Sequence, residues 1–432
     1  MMIILKKVTV IALMLLGLGI YAQENRDLDN YRYTDKRGVN VFEAPKSTST
    51  SFNGLKVRIG GASTLQFQGI DHENSDLAGI ELQPIGSNFN LATANLDIDV
   101  ALYDGVRMHL RTFLSSRHHN ETYVKGGYFQ IDKLDFIKEG FMEDFMKYAT
   151  LKVGHMENNY GDAHFRRSDN AQTMHNPFVG NLIMDSYTTE VGAELLVQKN
   201  GFIGMLGVSN GKLNQSVEKK AIGDELAEDG KSGGASFLAK LGYDKQVNED
   251  LRVRITGSMY NTGYVPNSYL YSADRAGSRY YGVMMADAAT SDNFRSGRYN
   301  PNLKNSISAI MFNPFIKYKG LEFFGTIETA SGKATAELED RTANQFAGEL
   351  LYRFGKNENL YIGGRYNTVD SEEMTGEDIT IKRSQLVAGW FMTNNILVKM
   401  EYVNQKYEGF AATSTLNQGK FNGVILEAAI SF

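Results

Sequence analysis

The residues best able to do chemistry in this 432-residue chain crowd into one stretch, positions 150–186. It carries His155, Glu157, Asp162, His164, Arg166, Arg167, Asp169, His175 and Asp185. The adjacent guanidiniums of Arg166 and Arg167 are suited to gripping a carboxylate or phosphate through paired hydrogen bonds. Acids in the same stretch can balance that charge. The histidines lack a metal-ligand spacing such as His-Glu-x-x-His, so ordinary loop contacts are their expected role and no metal is expected. The chain offers no glycine-rich phosphate cradle and no acid pair on a defined scaffold. Neither a catalytic residue nor a cofactor is expected.

What surrounds the stretch decides how to read it. It opens on a short strand, Leu151-Lys152-Val153-Gly154-His155, and then runs on without a clean period. So long a structureless segment inside a compact domain is uncommon unless it is functional. On both sides of it the chain alternates apolar and polar residues with a period of two, the mark of half-buried strand.

The ends and the composition say where such strands belong. Lys6 and Lys7 precede an apolar run over 8–20, and Tyr21-Ala22 precedes Gln23, so 1–22 reads as a cleavable export signal. That run is too short to span a bilayer as a helix, and no later apolar run approaches the length required. The absence of cysteine excludes a disulfide scaffold and a thiolate metal site. A net charge of −5 without a basic block gives no reason to expect nucleic acid. Tyrosine (23) and phenylalanine (24) are plentiful while tryptophan occurs once. An exported, aromatic-rich chain without spanning helices fits a transmembrane β-barrel, which hides its apolar residues in alternation.

Sixteen strands are expected, near 55–68, 88–102, 106–116, 123–132, 151–155, 188–198, 202–209, 234–243, 251–260, 306–319, 321–329, 344–354, 360–368, 383–392, 396–406 and 420–432. Asp104-Gly105 and Asn200-Gly201 are hairpin turns, because these pairs tolerate the positive φ required there. Connections after odd strands are mostly long and polar, and those after even strands mostly short, the asymmetry of outer loops and periplasmic turns. Residues 23–54 are expected to form a periplasmic tail, or one folded partly into the pore, 55–432 the barrel, and 156–187 a loop folded inward. Phe136, Ile137, Phe141, Phe145 and Met146 predict a short amphipathic helix within 133–148. A further hairpin near 279–285 would raise the count to eighteen. The last strand ends on Phe432, which resembles the terminal signature of bacterial outer-membrane barrels.

Register assigns the charges. An Arg or Lys facing lipid at mid-bilayer costs about 2–4 kcal/mol, so the polar partner in each alternation must face the lumen. This places Lys56, Arg58, Arg107, His109, Arg111, Lys152, Arg252, Arg254, Arg353 and Arg365 inside, together with Asp97, Asp99, Glu322, Glu328, Glu349 and Glu401. One reading is a basic ladder that draws anions. The other is cross-strand neutralisation, with Asp97 and Asp99 on the second strand pairing with cations on the first and third. Arg252 and Arg254 have no comparable neighbour in sequence. The tyrosines of 261–305 suit packing within a loop better than stacking on a sugar.

Around the opening stretch the chain resembles the phosphate-selective porin O/P group. The resemblance lies in Gly126-Gly127-Tyr128-Phe129-Gln130-Ile131-Asp132, Leu151-Lys152-Val153-Gly154-His155, Arg166-Arg167-Ser168-Asp169, Asn176-Pro177-Phe178-Val179-Gly180-Asn181, Glu190-Val191-Gly192-Ala193-Glu194-Leu195 and Gly207-Val208-Ser209-Asn210-Gly211. It spans roughly 124–211. The chain departs from that group's proline-rich loop start with Asn158-Asn159-Tyr160-Gly161, and it lacks a lysine cluster for phosphate, so phosphate selectivity does not carry over. The resemblance implies a sixteen-stranded, often trimeric diffusion pore.

The combined expectation is an all-β, up-and-down antiparallel barrel in the outer membrane, contacting lipid and lipopolysaccharide and assembling as a homotrimer. It would pass small hydrophilic solutes, anions among them, through a lumen lined by Arg58, Arg107, Arg111, Lys152, Arg252 and Arg254. Arg166, Arg167, Asp162, Asp169 and His164 would form the constriction. The alternative is a non-conducting barrel serving as a structural or binding subunit of an envelope complex, docking through 210–233 and 261–305.

Overall fold

The computed structural model describes residues 28, 30–46, 52–75, 79–114, 122–168, 173–211, 235–263, 265, 267–272, 279–287, 296–334 and 336–432. The expected export signal, Asp169, His118, His119, Tyr264 and nearly all of 210–233 lie outside the described residues.

Sixteen strands form in chain order: β1 (Lys56–Glu73), β2 (Asn88–Tyr103), β3 (Val106–Leu114), β4 (Tyr123–Ile131), β5 (Ala149–Glu157), β6 (Thr189–Lys199), β7 (Phe202–Ser209), β8 (Ser236–Gln246), β9 (Leu251–Thr262), β10 (Ser306–Tyr318), β11 (Leu321–Lys333), β12 (Arg341–Phe354), β13 (Leu360–Glu372), β14 (Asp378–Thr393), β15 (Ile396–Glu408) and β16 (Lys420–Ser431). Each pairs antiparallel with its sequence neighbours, and β1 pairs with β16 from Ala62↔Ser431 to Glu73↔Lys420, closing the barrel. Closure matters because an open sheet edge in hydrocarbon leaves backbone groups without partners.

The period-two pattern appears as two chemically different faces. On β15, Lys399 and Glu401 are fully buried inside while Met400 and Tyr402 between and beyond them are exposed outside. The same holds on β12, where Phe346, Leu350 and Tyr352 face out and Glu349 and Arg353 face in. Several strands outrun the expected limits: β1 reaches Glu73, β11 reaches Lys333 and β14 begins at Asp378. Beyond the apolar band the outward positions Asp71, Asp378 and Lys382 are polar while Ile70, Ile379 and Ile381 are buried inside, so the membrane alternation is reversed there while the hydrogen-bond ladder continues.

Two expectations change. Residues 279–287 do not form a hairpin. Among them Ala286 makes an isolated bridge to Leu82, and the strand count stays at sixteen. The segment instead packs inside the barrel, with Tyr280 and Val283 fully buried. Within 133–148 the helix is a single turn, Glu143–Met146. Gly140 and Met142 both adopt positive φ (70° and 53°), a left-handed conformation that ends any longer α-helix.

Candidate functional site: a loop-filled lumen

Residues 158–168 and 173–188, between β5 and β6, fold into the barrel, held by side chains the strands point inward. Asp162 N–H donates to Asn313 Oδ1 on β10 (2.8 Å), Met184 N–H to Gln345 Oε1 on β12 (3.0 Å), Ile183 N–H to Asn367 Oδ1 on β13 (2.7 Å) and Val179 N–H to Glu401 Oε2 on β15 (2.7 Å). Lys399 Nζ returns a bond to Phe178 O (2.9 Å). Polar wall residues therefore satisfy backbone that would otherwise be buried without partners. Gly161, at φ 68°, lies so close to β10 that a Cβ there would sit 2.1 Å from Met311 Sδ.

The described charged residues of the loop are paired. Asp162 accepts from Arg254 Nε (2.7 Å) and Nη2 (2.8 Å), from Thr256 Oγ1 (2.7 Å) and from Lys240 Nζ (3.1 Å). Burial pushes its carboxyl up, but Arg254 and Lys240 outweigh burial and hold it well below the ordinary range. Arg166 donates to Glu322 on β11 (2.9 Å) and Glu349 on β12 (3.0 Å). Arg167 forms a bidentate pair with Asp185 of the same loop (2.7 and 2.8 Å). His164 shares a hydrogen bond between Nδ1 and Glu157 (2.5 Å), and its Nε2 faces Asn159 Oδ1 (3.2 Å).

Most of the lumen cations expected from register are paired too. Arg111 meets Asp97 (2.7 Å), Arg107 and Arg58 share Asp99 (3.2 and 3.7 Å), and Lys152 meets Glu194 (3.6 Å). The strand register sets Asp97 opposite Arg111, and Asp99 opposite both His109 and Arg58. Arg252 and Arg254 find Asp244 on β8 (2.7 and 3.1 Å). The arrangement is cross-strand neutralisation, in place of an unopposed basic ladder.

A second insertion, from the β9–β10 connection, shares the lumen with the loop and meets the same β15 carboxylate, Glu401. Tyr280 OH donates to Glu401 Oε1 (2.8 Å), Tyr271 OH to Glu328 Oε1 (2.9 Å) and Tyr299 OH to Ser371 Oγ (2.9 Å). Arg279 pairs with Glu427, which also binds Lys399 (2.7 Å). These tyrosines pack and anchor. Packing within the lumen is the role expected of the tyrosines of 261–305, whereas the inward Lys399 and Glu427 are marked in sequence only by the period-two alternation of β15 and β16.

A cavity of about 160 Å³ lies against the β2–β6 wall, lined by Arg107, Arg111, Lys125, Tyr128, Lys152, Glu157 and Glu194 among others. The loop's hydrogen bonds to wall side chains run mainly to β8–β15, which is why the opening lies on the other side. Chemically the surface offers donors and acceptors at close spacing with little net charge, suited to exchanging contacts with hydrated solutes. Among the described residues no histidine, cysteine or carboxylate group forms a metal-binding cluster. The Gly-x-Ser-x-Gly string at 207–211 places Ser209 at the end of β7, hydrogen-bonded to Glu190; that is a wall contact at a strand end, and 212–234 lie outside the described residues.

His175 gives a pH prediction. It is buried, its Nε2 3.3 Å from Asp35 O. Burial, with Arg32 adding to it, holds its pKa well below 6.5. An undocked loop would take up this proton near pH 6.5 while the docked one resists, so docking is fully supported above 6.5 and weakens as pH falls below it. Channel-current noise or loop proteolysis should rise between pH 6.5 and 5, and His175→Asn should flatten that rise. A noise profile identical in the variant would refute the assignment.

The closed sixteen-stranded barrel with an inserted loop is the fold class of bacterial outer-membrane porins. No family model matches the chain, and no curated protein is similar in sequence. Solved structures are similar in fold. An anion-selective porin from Comamonas acidovorans aligns with TM-score 0.53 at 11% identity, covering 88% of this chain and 100% of that one. The outer membrane channel DcaP of Acinetobacter baumannii gives 0.52 at 10%, covering 88% and 99%. OmpT, an outer membrane protein of Vibrio cholerae, in its trimer form, gives 0.51 at 11%, covering 88% and 100%.

Proposed function

We propose that this chain is an outer-membrane porin, exported by its 1–22 signal, through which small hydrophilic solutes diffuse passively. The observation that carries the reading is the polar cavity left beside the inserted loop, inside a barrel whose outer face is apolar. Arg166, Arg167, Asp162 and His164 shape the loop that narrows the lumen. Arg107, Arg111 and Lys152 line its open side, while Arg58, Arg252 and Arg254 hold their partners in the wall. Small anions are among the solutes, with only a weak preference, because close ion pairs leave little field along the path. Selectivity for phosphate is not part of the proposal. The shared porin fold, with a trimeric form named for one structural neighbour, supports a homotrimer in contact with lipid and lipopolysaccharide.

Single-channel recording of the refolded protein in a planar bilayer tests this. Stable open steps with a reversal potential near zero, tilted slightly to anions under a salt gradient, are expected. Strong selectivity of either sign would overturn the charge-balance argument. A second reading has its own observation: three chain segments cross the lumen on buried polar bonds, as befits a non-conducting subunit. Folded protein without open steps would favour it.

A further inference from the structure

The third of those segments is the chain's own beginning. Residues 30–46 cross the mouth at the short-turn end. On one side Lys36 N–H donates to Asn394 O (2.9 Å), in the β14–β15 turn, and Ser431 Oγ donates to Thr34 O (2.8 Å). At mid-span Asn40 Nδ2 donates to Glu322 Oε2 (2.6 Å), and Arg252 Nη1 donates to Asn40 O (2.8 Å). Phe42 packs with Phe315 and Phe324. Glu43 accepts from Arg254 at 2.7 and 2.9 Å and lies 3.5 Å from Lys240. On the far side Lys46 Nζ donates to Asp132 Oδ1 (2.8 Å) and Ala149 O (2.5 Å).

Ordering backbone costs roughly 1–2 kcal/mol per residue, so a tail is held this way only by a dense set of contacts. The segment also meets the inserted loop. Arg32 Nη2 donates to Phe165 O (2.8 Å), and a Cβ on Gly38 would lie 2.5 Å from His175 Nε2. Its charge matters as much as its bulk. Arg254 and Lys240 together face Glu43, Asp162 and Asp244. Take Glu43 away and the balance at this level of the lumen moves one unit positive.

We propose that residues 30–46 are a built-in strap that partly closes the lumen from the short-turn end and, through Glu43, sets its ion preference. The proposal rests on the porin reading. With the strap seated, Glu43 adds one negative charge beside Arg254 and Lys240; with it withdrawn, that cluster is one unit more positive and the lumen widens.

The test uses a full-length variant carrying a protease recognition sequence between Lys46 and Phe52. The refolded barrel is recorded, cleaved, washed in urea that leaves the barrel folded, and recorded again, with release of the fragment followed by mass spectrometry. Conductance should rise roughly twofold or more and the reversal potential should move toward anions. Adding a synthetic peptide of residues 28–46 should reverse both. Glu43→Gln in uncleaved protein should move the reversal potential toward anions at unchanged conductance, and it decides the matter should the cleaved fragment stay seated. Release with unaltered steps would overturn the strap while leaving the porin reading intact. Absence of steps before and after cleavage would overturn the porin reading and the strap with it. A silent Glu43→Gln would overturn the charge role.

Discussion

Asp162→Ala is expected to undock the inserted loop, at a local cost of about 3–5 kcal/mol, the usual penalty for removing one partner of a buried ion pair. Asp162 is fully buried and meets Arg254, Lys240 and Thr256 at once. Without it Lys240 keeps only Glu43 as a carboxylate partner, at 3.5 Å, and Thr256 Oγ1 loses the acceptor it donates to. The strands do not depend on this contact, so the barrel should keep its heat resistance on gels. The change should appear as protease cleavage within 158–188 and as noisy channel current. Asp162→Asn keeps an acceptor for Thr256 but loses the charge, and should fall between. A loop equally resistant in wild type and Asp162→Ala would show that the neighbouring bonds, from Asn313 and Gln345, suffice alone.

The second large effect lies on the outside. Met400→Arg should destabilise the barrel in a bilayer by about 2–4 kcal/mol, the cost of a cation facing mid-bilayer lipid. Met400 is exposed between Val398 and Tyr402, beside Leu426 of β16 and Ala388 of β14. One position away Lys399 is already a buried cation, paired with Glu427 at 2.7 Å. The two positions thus take the same charge with opposite consequences, because successive side chains point to opposite faces. Reversible unfolding in lipid vesicles measures the difference. A cost below about 1 kcal/mol, the range for positions near the interface, would place Met400 outside the apolar band.

Outside the bilayer-facing residues, chain position says little about energy. Arg166 and Glu322 are separated by 156 positions and Asp162 and Arg254 by 92, yet each is a buried contact. Their pairing depends on how far the loop reaches across the barrel. Arg166 and Arg167 look alike in sequence. One crosses to β11 and β12, and the other turns back to Asp185 of its own loop.

The sequence by itself determined the strands and their faces. Period-two alternation is local, and the lipid penalty makes it obligatory, so the inward placement of Lys152, Arg254 or Glu401 follows without a model of the whole. Asp97 with Arg111 was nearly legible, since a two-residue turn at Asp104-Gly105 sets the register that faces them. An inward fold of 156–187 was an expectation of its aperiodic length, but the tertiary structure alone decided which residues meet in the lumen. Glu43 sits in an aperiodic polar segment and Tyr280 in an irregular one; neither periodicity nor motif marks them. They matter because closure of β1 on β16 brings remote segments into one enclosed space, where every buried charge must find a partner.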